Sequence, residues 1–235
     1  MAHNGVGVSD FVKERLLQIR GDLRIFKDLD PAKTALVIID MQNDFVLPDA
    51  ELSTPRAMDL IPVIARFADG CRRRGFPVVY TREMHRPGLE DFGIEGCFEP
   101  PHCLEGTAGP DIVSGLEPQP GDFVISAKRR YDAFLGTELD LLLRGLRAQN
   151  LIFAGVCTDI CVVSSVMTAR NLDYRCFVLR DAVDATSPAR QEAALLCMSH
   201  VFARVGDSAE AAELFGLELQ RHATQGAARG IGLLG

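Results

Sequence analysis

Three side chains able to do chemistry stand at the same kind of place in this chain. Asp40 follows the apolar, β-branched run Thr34 to Ile39 (TALVII). Lys128 closes the run Asp122 to Lys128 (DFVISAK). Cys161 comes shortly after Leu151 to Ala154 (LIFA), beyond a break at Gly155. Runs of this length and composition predict strands. The first is near-continuously apolar, as expected of a strand covered on both faces. In a parallel α/β sheet, ligands bind outside the carboxyl ends of the strands. An acid, an amine and a thiol delivered to that edge form a workable set. The thiol is a nucleophile, the carboxylate moves protons, and the ammonium favours the thiolate. Each residue alone has a plainer reading: Asp40 as a turn residue, Lys128 as a solvated amine, Cys161 as a small buried hydrophobe.

The elements around these residues are legible as well. Thr158 and Asp159 offer capping oxygens, and apolar residues recur at helical spacing from Ile160 to Leu172. That places Cys161 in the first turn of a helix, where the dipole and unpaired N–H groups lower a thiol's pKa. Asn43 to Thr54 reads as a loop. Arg56 to Arg74 reads as a helix with Leu60, Ile64, Phe67, Ala68 and Cys71 on one stripe, which makes Cys71 structural. Phe76 to Glu83 is a second strand, followed by a Gly- and Pro-rich loop reaching Gln119. A loop that long in a compact domain is usually functional. A helix from Thr137 to Arg147 follows Lys128. Arg175 to Arg180 is a fifth strand with Cys176 structural. Pro188 opens a helix to His200, Val201 to Val205 is a last strand, and Ser208 to Phe215 a last helix. Strands alternating with helices give an α/β fold, a doubly wound and mainly parallel sheet with helices on both faces. Residues 1–30, with helical alternation from Asp10 to Ile25, form an N-terminal arm. Residues 31–219 form one domain, and residues 220–235 form a mobile tail.

The 235 residues suit one domain, and the formal net charge is −7. No basic stretch suggests nucleic acid, and no apolar run approaches the ~20 residues of a membrane span. Seven cysteines without scaffold spacing, and no leader segment, lead to an expectation of reduced thiols in a cytoplasm. No Gly-x-Gly-x-x-Gly follows the first strand, so a dinucleotide site is not supported, and no cofactor is expected.

The order Asp, Lys, Cys on ALVIIDMQNDF, KRRYDAFLGTELDLLLR and GVCTDICVVSSVMTARNLDYRCFVLRDA resembles the isochorismatase-like cysteine hydrolases, over about Pro31 to Leu217. That family includes nicotinamidases, N-carbamoylsarcosine amidases, ureidoacrylate amidohydrolases and biuret hydrolases. The resemblance implies an amidohydrolase acting on a small amide or ureido compound through a thioester on Cys161. Asp40 and Lys128 complete the triad. It also implies an oxyanion site at the backbone N–H groups of Cys157 and Cys161, with a cis peptide bond just before Cys157. Phe45 is expected to face the site, as the matching aromatic does in relatives. Gln42 and Tyr131 are expected to contact substrate too. A homodimer or homotetramer is expected, with the arm packing on the core or on a neighbouring subunit.

Nicotinamidases carry a metal on an Asp-x-His and a later His. Here Glu83, His85 and His102 hold similar places, with Glu95 between them. Such a set could bind zinc, iron or manganese. Glu83 replaces the Asp, however, and TREMHRP is similar to metal-free biuret-hydrolase-like members, so no metal is expected. Two other readings stay open. An isochorismatase-type vinyl-ether hydrolase needs no cysteine, and a non-catalytic small-molecule-binding member would not need the whole triad.

Overall fold

In the computed structural model, residues 10–22 and 25–220 are described. A helix, α1 (Asp10–Arg20), precedes the domain. The alternating elements then follow: β1 (Thr34–Ile39), a short α2 (Asn43–Val46), α3 (Ala57–Arg74), β2 (Val78–Glu83), β3 (Phe123–Lys128) and α4 (Leu139–Gly145). After these come β4 (Asn150–Val156), a π-helical turn (Thr158–Val162), α5 (Val163–Asn171), β5 (Arg175–Asp184), α6 (Pro188–Val201), β6 (Ala203–Gly206) and α7 (Ser208–Phe215). The tail expected from residue 220 lies almost wholly outside the described residues.

The six strands form one sheet in the order β3-β2-β1-β4-β5-β6, and every pairing is parallel. The chain winds outward from β1 to one edge, returns to β4 beside β1, and winds to the other edge. β1 and β4 are therefore the switch point, and a crevice opens beyond their carboxyl ends.

Alternation along β1 explains the two cores. Leu36 and Ile38 pack on one face with Leu60, Ile64 and Phe67 of α3 and Phe215 of α7. Ala35, Val37 and Ile39 pack on the other with Leu139 and Leu143 of α4, Val166 of α5 and Met198 of α6. A strand covered on both faces is apolar along nearly its whole length, and all six β1 residues are buried, with the Thr34 hydroxyl donating to the Asp30 carbonyl.

Two elements differ from expectation. β5 runs on to Asp184 rather than ending at Arg180. A bulge shifts its register on β4, from Phe153 opposite Val178 to Gly155 opposite Val183, so polar Arg180 and Asp181 are accommodated inside the strand. The segment Asn43 to Thr54 starts as a short helix, Asn43–Val46, not as irregular loop. The long segment between β2 and β3 is pinned by bridges pairing Gln42 with Ile112 and His85 with Leu104.

Candidate active site

Asp40 is the first residue past β1. Its φ is 47°, in the left-handed region that Asp tolerates better than most side chains. Its amide donates to Thr81 Oγ1 at 3.1 Å, and the Thr81 hydroxyl donates back to Asp40 Oδ1 at 2.6 Å. Thr81 lies on the neighbouring β2, so the carboxylate is held by the adjacent strand. Its Oδ2 forms an ion pair with Lys128 Nζ at 2.9 Å.

Lys128 ends β3 and stands opposite Glu83 of β2 in the register. It is wholly buried. Its ammonium meets Asp40 Oδ2, Glu83 Oε2, the Arg130 carbonyl at 2.7 Å and Cys161 Sγ at 3.8 Å. A buried ammonium is tolerated only when paired and hydrogen-bonded, and this one is surrounded by acceptors. Burial alone would lower its pKa, but Asp40, Cys161 and Glu83 outweigh burial and hold it well above the usual lysine value.

Cys161 sits in the π-helical turn after β4, a device common at functional sites. The Cys157 carbonyl accepts from both Ile160 N and Val162 N at 3.1 Å, which tightens the chain around the thiol. The Val156–Cys157 peptide bond is cis. The Cys161 sulfur and the Asp40 and Glu83 carboxylate oxygens lie within 4.8 Å of one another. The cation at the centre of that group is Lys128.

The electrostatics differ from the depressed thiol pKa that the helix position suggests. Burial pushes Cys161 well above its ordinary value, and Asp40 and Glu83 add to this. Lys128 pulls the other way without overcoming them. Asp40 is also raised, by burial first, against the pull of Lys128. Burial thus favours the protonated thiol, and the Asp40 carboxyl group stands nearby.

An open pocket of about 440 Å³, counted out to its mouth, ends on Cys161 and Glu83. Cys161, Glu83 and His102 line its buried part. Phe45, Tyr131 and Cys157 line it too, so two of the three expected contact residues face it. Gln42 does not, which corrects its placement as a substrate contact. It is fully buried, its Nε2 donates to the carbonyls of Glu83 (2.7 Å) and Pro110 (3.0 Å), and its Oε1 accepts from Glu83 N at 2.7 Å. Gln42 locks β2 and the long loop to the end of β1. Leu52, Glu99 and Thr186 also line the pocket. All three come from loops or strand extensions, and no local pattern marks them.

Glu83 has two duties. One oxygen holds Lys128. The other, Oε1, lies 3.3 Å from His85 Nε2 and 3.1 Å from His102 Nε2. Glu95 Oε1 is 3.6 Å from His102 Nε2, and both Glu95 oxygens are buried without a hydrogen bond. His102 Nδ1 faces the Pro100 carbonyl at 2.9 Å, so it must carry a proton. His102 Nε2 then faces carboxylates either as a second N–H or as a lone pair turned to a cation. Burial works against Glu83 ionising, but Lys128 and the two imidazoles outweigh it and hold its pKa well below the carboxylate range. Burial and the charge of Glu83 raise Glu95 to about 7. Donors ~2.0–2.1 Å from a tetrahedral zinc stand about 3.3 Å apart, close to these spacings, and a metal-bound His normally donates its other N–H to a carbonyl. Glu83, His85, Glu95 and His102 therefore fit a divalent cation. The expectation of no metal rested on Glu83 in place of Asp and on the likeness of TREMHRP to metal-free members, and it did not weigh Glu95 as a fourth ligand. Glu95 completes the set only through the fold of the loop.

The family model of the Isochorismatase domain matches residues 34–210. This chain belongs to the isochorismatase-like family. A ureidoacrylate amidohydrolase from Rhizobium rhizogenes is 31% identical over 182 residues, covering 68% of this chain and 74% of that one. The solved structure of an isochorismatase family protein from Desulfovibrio vulgaris superposes with a TM-score of 0.74 at 34% identity, covering 78% and 98% of the two chains. A pyrazinamidase/nicotinamidase from Streptococcus mutans gives 0.69 at 31% identity, covering 74% and 99%. As an isochorismatase-like protein the chain is a hydrolase. The relatives just described whose names state an activity are amidohydrolases or amidases.

Proposed function

We propose that this enzyme hydrolyses the C–N bond of a small amide or ureido compound through a thioester on Cys161. The observation that carries the reading is the placement of the Cys161 sulfur 3.8 Å from Lys128 Nζ and within 4.8 Å of the Asp40 carboxylate, at the buried end of the pocket.

The roles follow from charge and reach. Asp40 takes the thiol proton as sulfur attacks the carbonyl carbon. Lys128 stays charged and offsets the negative charge that gathers on sulfur. The backbone N–H groups of Cys157 and Cys161 are the candidate donors to the oxyanion, and one such donor typically contributes on the order of 10²-fold. Asp40 then passes its proton to the leaving nitrogen as the C–N bond breaks, releasing ammonia or an amine. It next takes a proton from water, which attacks the thioester carbonyl, and returns that proton to sulfur as the C–S bond breaks and the acid product leaves. Phe45 and Tyr131 frame the substrate. Glu83, His85, Glu95 and His102 would hold a divalent cation if one binds, and such an ion would polarise a carbonyl or heteroatom of the substrate.

Supporting a reducing cytoplasmic setting, all seven cysteines are free. Supporting self-association as a homodimer or homotetramer, Ile94 and Phe98 are each 78% exposed on the loop beside the pocket.

The test is Cys161→Ala. The loss is one small side chain at the pocket, so the protein should fold and turnover of any amide substrate should vanish. Cys71→Ala and Cys176→Ala, which change thiols buried away from the pocket, should stay active. Substantial amidase activity in purified Cys161→Ala would sink the nucleophile assignment.

A further inference from the structure

The triad is shared by chemistry that does not care about substrate charge, but the pocket around it is one-sided. With no cation at the Glu83, His85, Glu95 and His102 set, two carboxylates, Asp40 and Glu83, face the ammonium of Lys128 and the His85 and His102 imidazoles. Glu99 lines the pocket nearer solvent, and Glu95 is buried against His102. Among the described residues, no lysine or arginine lines the pocket. The nearest arginines in sequence are committed elsewhere. Arg129 pairs with Glu105 at 2.8 Å and Asp91 at 3.0 Å, and Arg130 donates to the Asp91 carbonyl at 2.7 Å. Lys128 has no donor left over for a substrate carboxylate, since its partners are two carboxylates, a carbonyl and the thiol. The same field reaches the Tyr131 hydroxyl, which burial and then Glu95, Glu99 and Glu83 push up to about 12.

Recognition of a carboxylate normally needs an arginine fork or a lysine free to pair. A like charge entering a partly desolvated pocket is opposed by Coulomb repulsion that solvent screens only in part. We propose that this pocket selects its substrate by charge. It takes a neutral or cationic small amide or ureido compound and excludes one that carries a carboxylate, and Glu99 is a specificity-determining side chain toward the pocket's mouth. This rests on the amidohydrolase reading above and narrows it. It sets the chain apart from the ureidoacrylate relative, whose named substrate is itself a carboxylate.

The experiment does not need the natural substrate. Cys161 is alkylated with iodoacetamide, which is neutral, and with iodoacetate, which is anionic, and the two rates are compared by mass spectrometry. The exposed Cys197 on α6 in the same molecule gives the baseline ratio. The preference for iodoacetamide should be at least about tenfold greater at Cys161 than at Cys197. Glu99→Gln should narrow that preference and Glu99→Lys should narrow it further. Glu99 is partly exposed, so both variants should fold. A preference at Cys161 equal to that at Cys197 overturns the proposal, as does a preference unmoved by Glu99→Lys. In parallel, hydrolysis is measured for butanamide, 3-aminopropanamide and the monoamide of succinic acid, which differ mainly in end-group charge. Cleavage of the succinic monoamide with kcat/KM equal to or above that of butanamide also overturns it. An intact labelling contrast with no hydrolysis in the series supports the charge selection and counts against the amidohydrolase reading instead.

Discussion

Lys128 and Asp40 act on the same thiol with opposite sign, and that makes them separable. Lys128 favours the thiolate, while Asp40 disfavours it. Lys128→Met should therefore move the pH profile of iodoacetamide labelling at Cys161 upward. It also strands two buried carboxylates, and breaking a buried pair from one side costs about 3–5 kcal/mol, so this variant should melt markedly earlier. Asp40→Asn should move the labelling profile downward, because a negative neighbour is gone while Lys128 keeps Glu83. Its amide turnover should nonetheless fall by roughly 10²–10⁴, since no group then carries the proton to the leaving nitrogen. Labelling profiles that move together, or not at all, would show that the two side chains do not share Cys161. Asp40, Lys128 and Cys161 could be picked from the sequence because each ends or shortly follows a recognisable strand-like run. Glu83 as the second partner of Lys128 could not, because that pairing is a register between β2 and β3.

At the scale of elements, the site depends on how closely β1 and β4 approach. Gly155 pairs with Ile39 across them and has φ 109°. A Cβ there would stand 2.0 Å from the Ile39 carbonyl oxygen and 2.7 Å from the Ile39 nitrogen. Backbone cannot yield as a flexible side chain can, and the conformation is itself strained for any other residue. Gly155→Ala should thus destabilise by at least about 2 kcal/mol, lowering Tm by roughly 4–8 °C for a chain of this size. It should also depress kcat, because Ile39 leads into Asp40 and Gly155 into Cys157. A variant that melts and turns over like the parent would mean the two strands have slack at the site. Gly155 is legible in the sequence as a break in an apolar run. The reason for it, a neighbouring strand's carbonyl, is not.

For the whole molecule, the exposed apolar residues carry the expectation. Ile94 and Phe98 project from the short turn Gly93–Cys97 and its cap, beside the buried Glu95 and the pocket-lining Glu99. Light scattering at micromolar concentration should return at least a dimer mass, and Ile94→Asp combined with Phe98→Asp should reduce it to that of one chain. A monomeric parent would remove the expectation. An interface built on this turn would also stiffen the loop that supplies Glu95, Glu99 and His102.

The sequence by itself determined the doubly wound class and the placing of Asp40, Lys128 and Cys161 at or just past the ends of β1, β3 and β4, because hydrophobic periodicity and chain punctuation are local. It misplaced Gln42, whose amide is spent on Glu83 and Pro110, and it left out the burial that pushes the thiol up against the pull of Lys128. A helix start and a lysine are visible in sequence, whereas complete desolvation and the summed charge of Asp40 and Glu83 are not. Only the tertiary structure decided the double duty of Glu83, the arrival of Glu95 beside His102 and the negative lining of the pocket. Each depends on which residues distant in the chain meet in a low-dielectric interior, where a few ångströms fix the sign of the interaction.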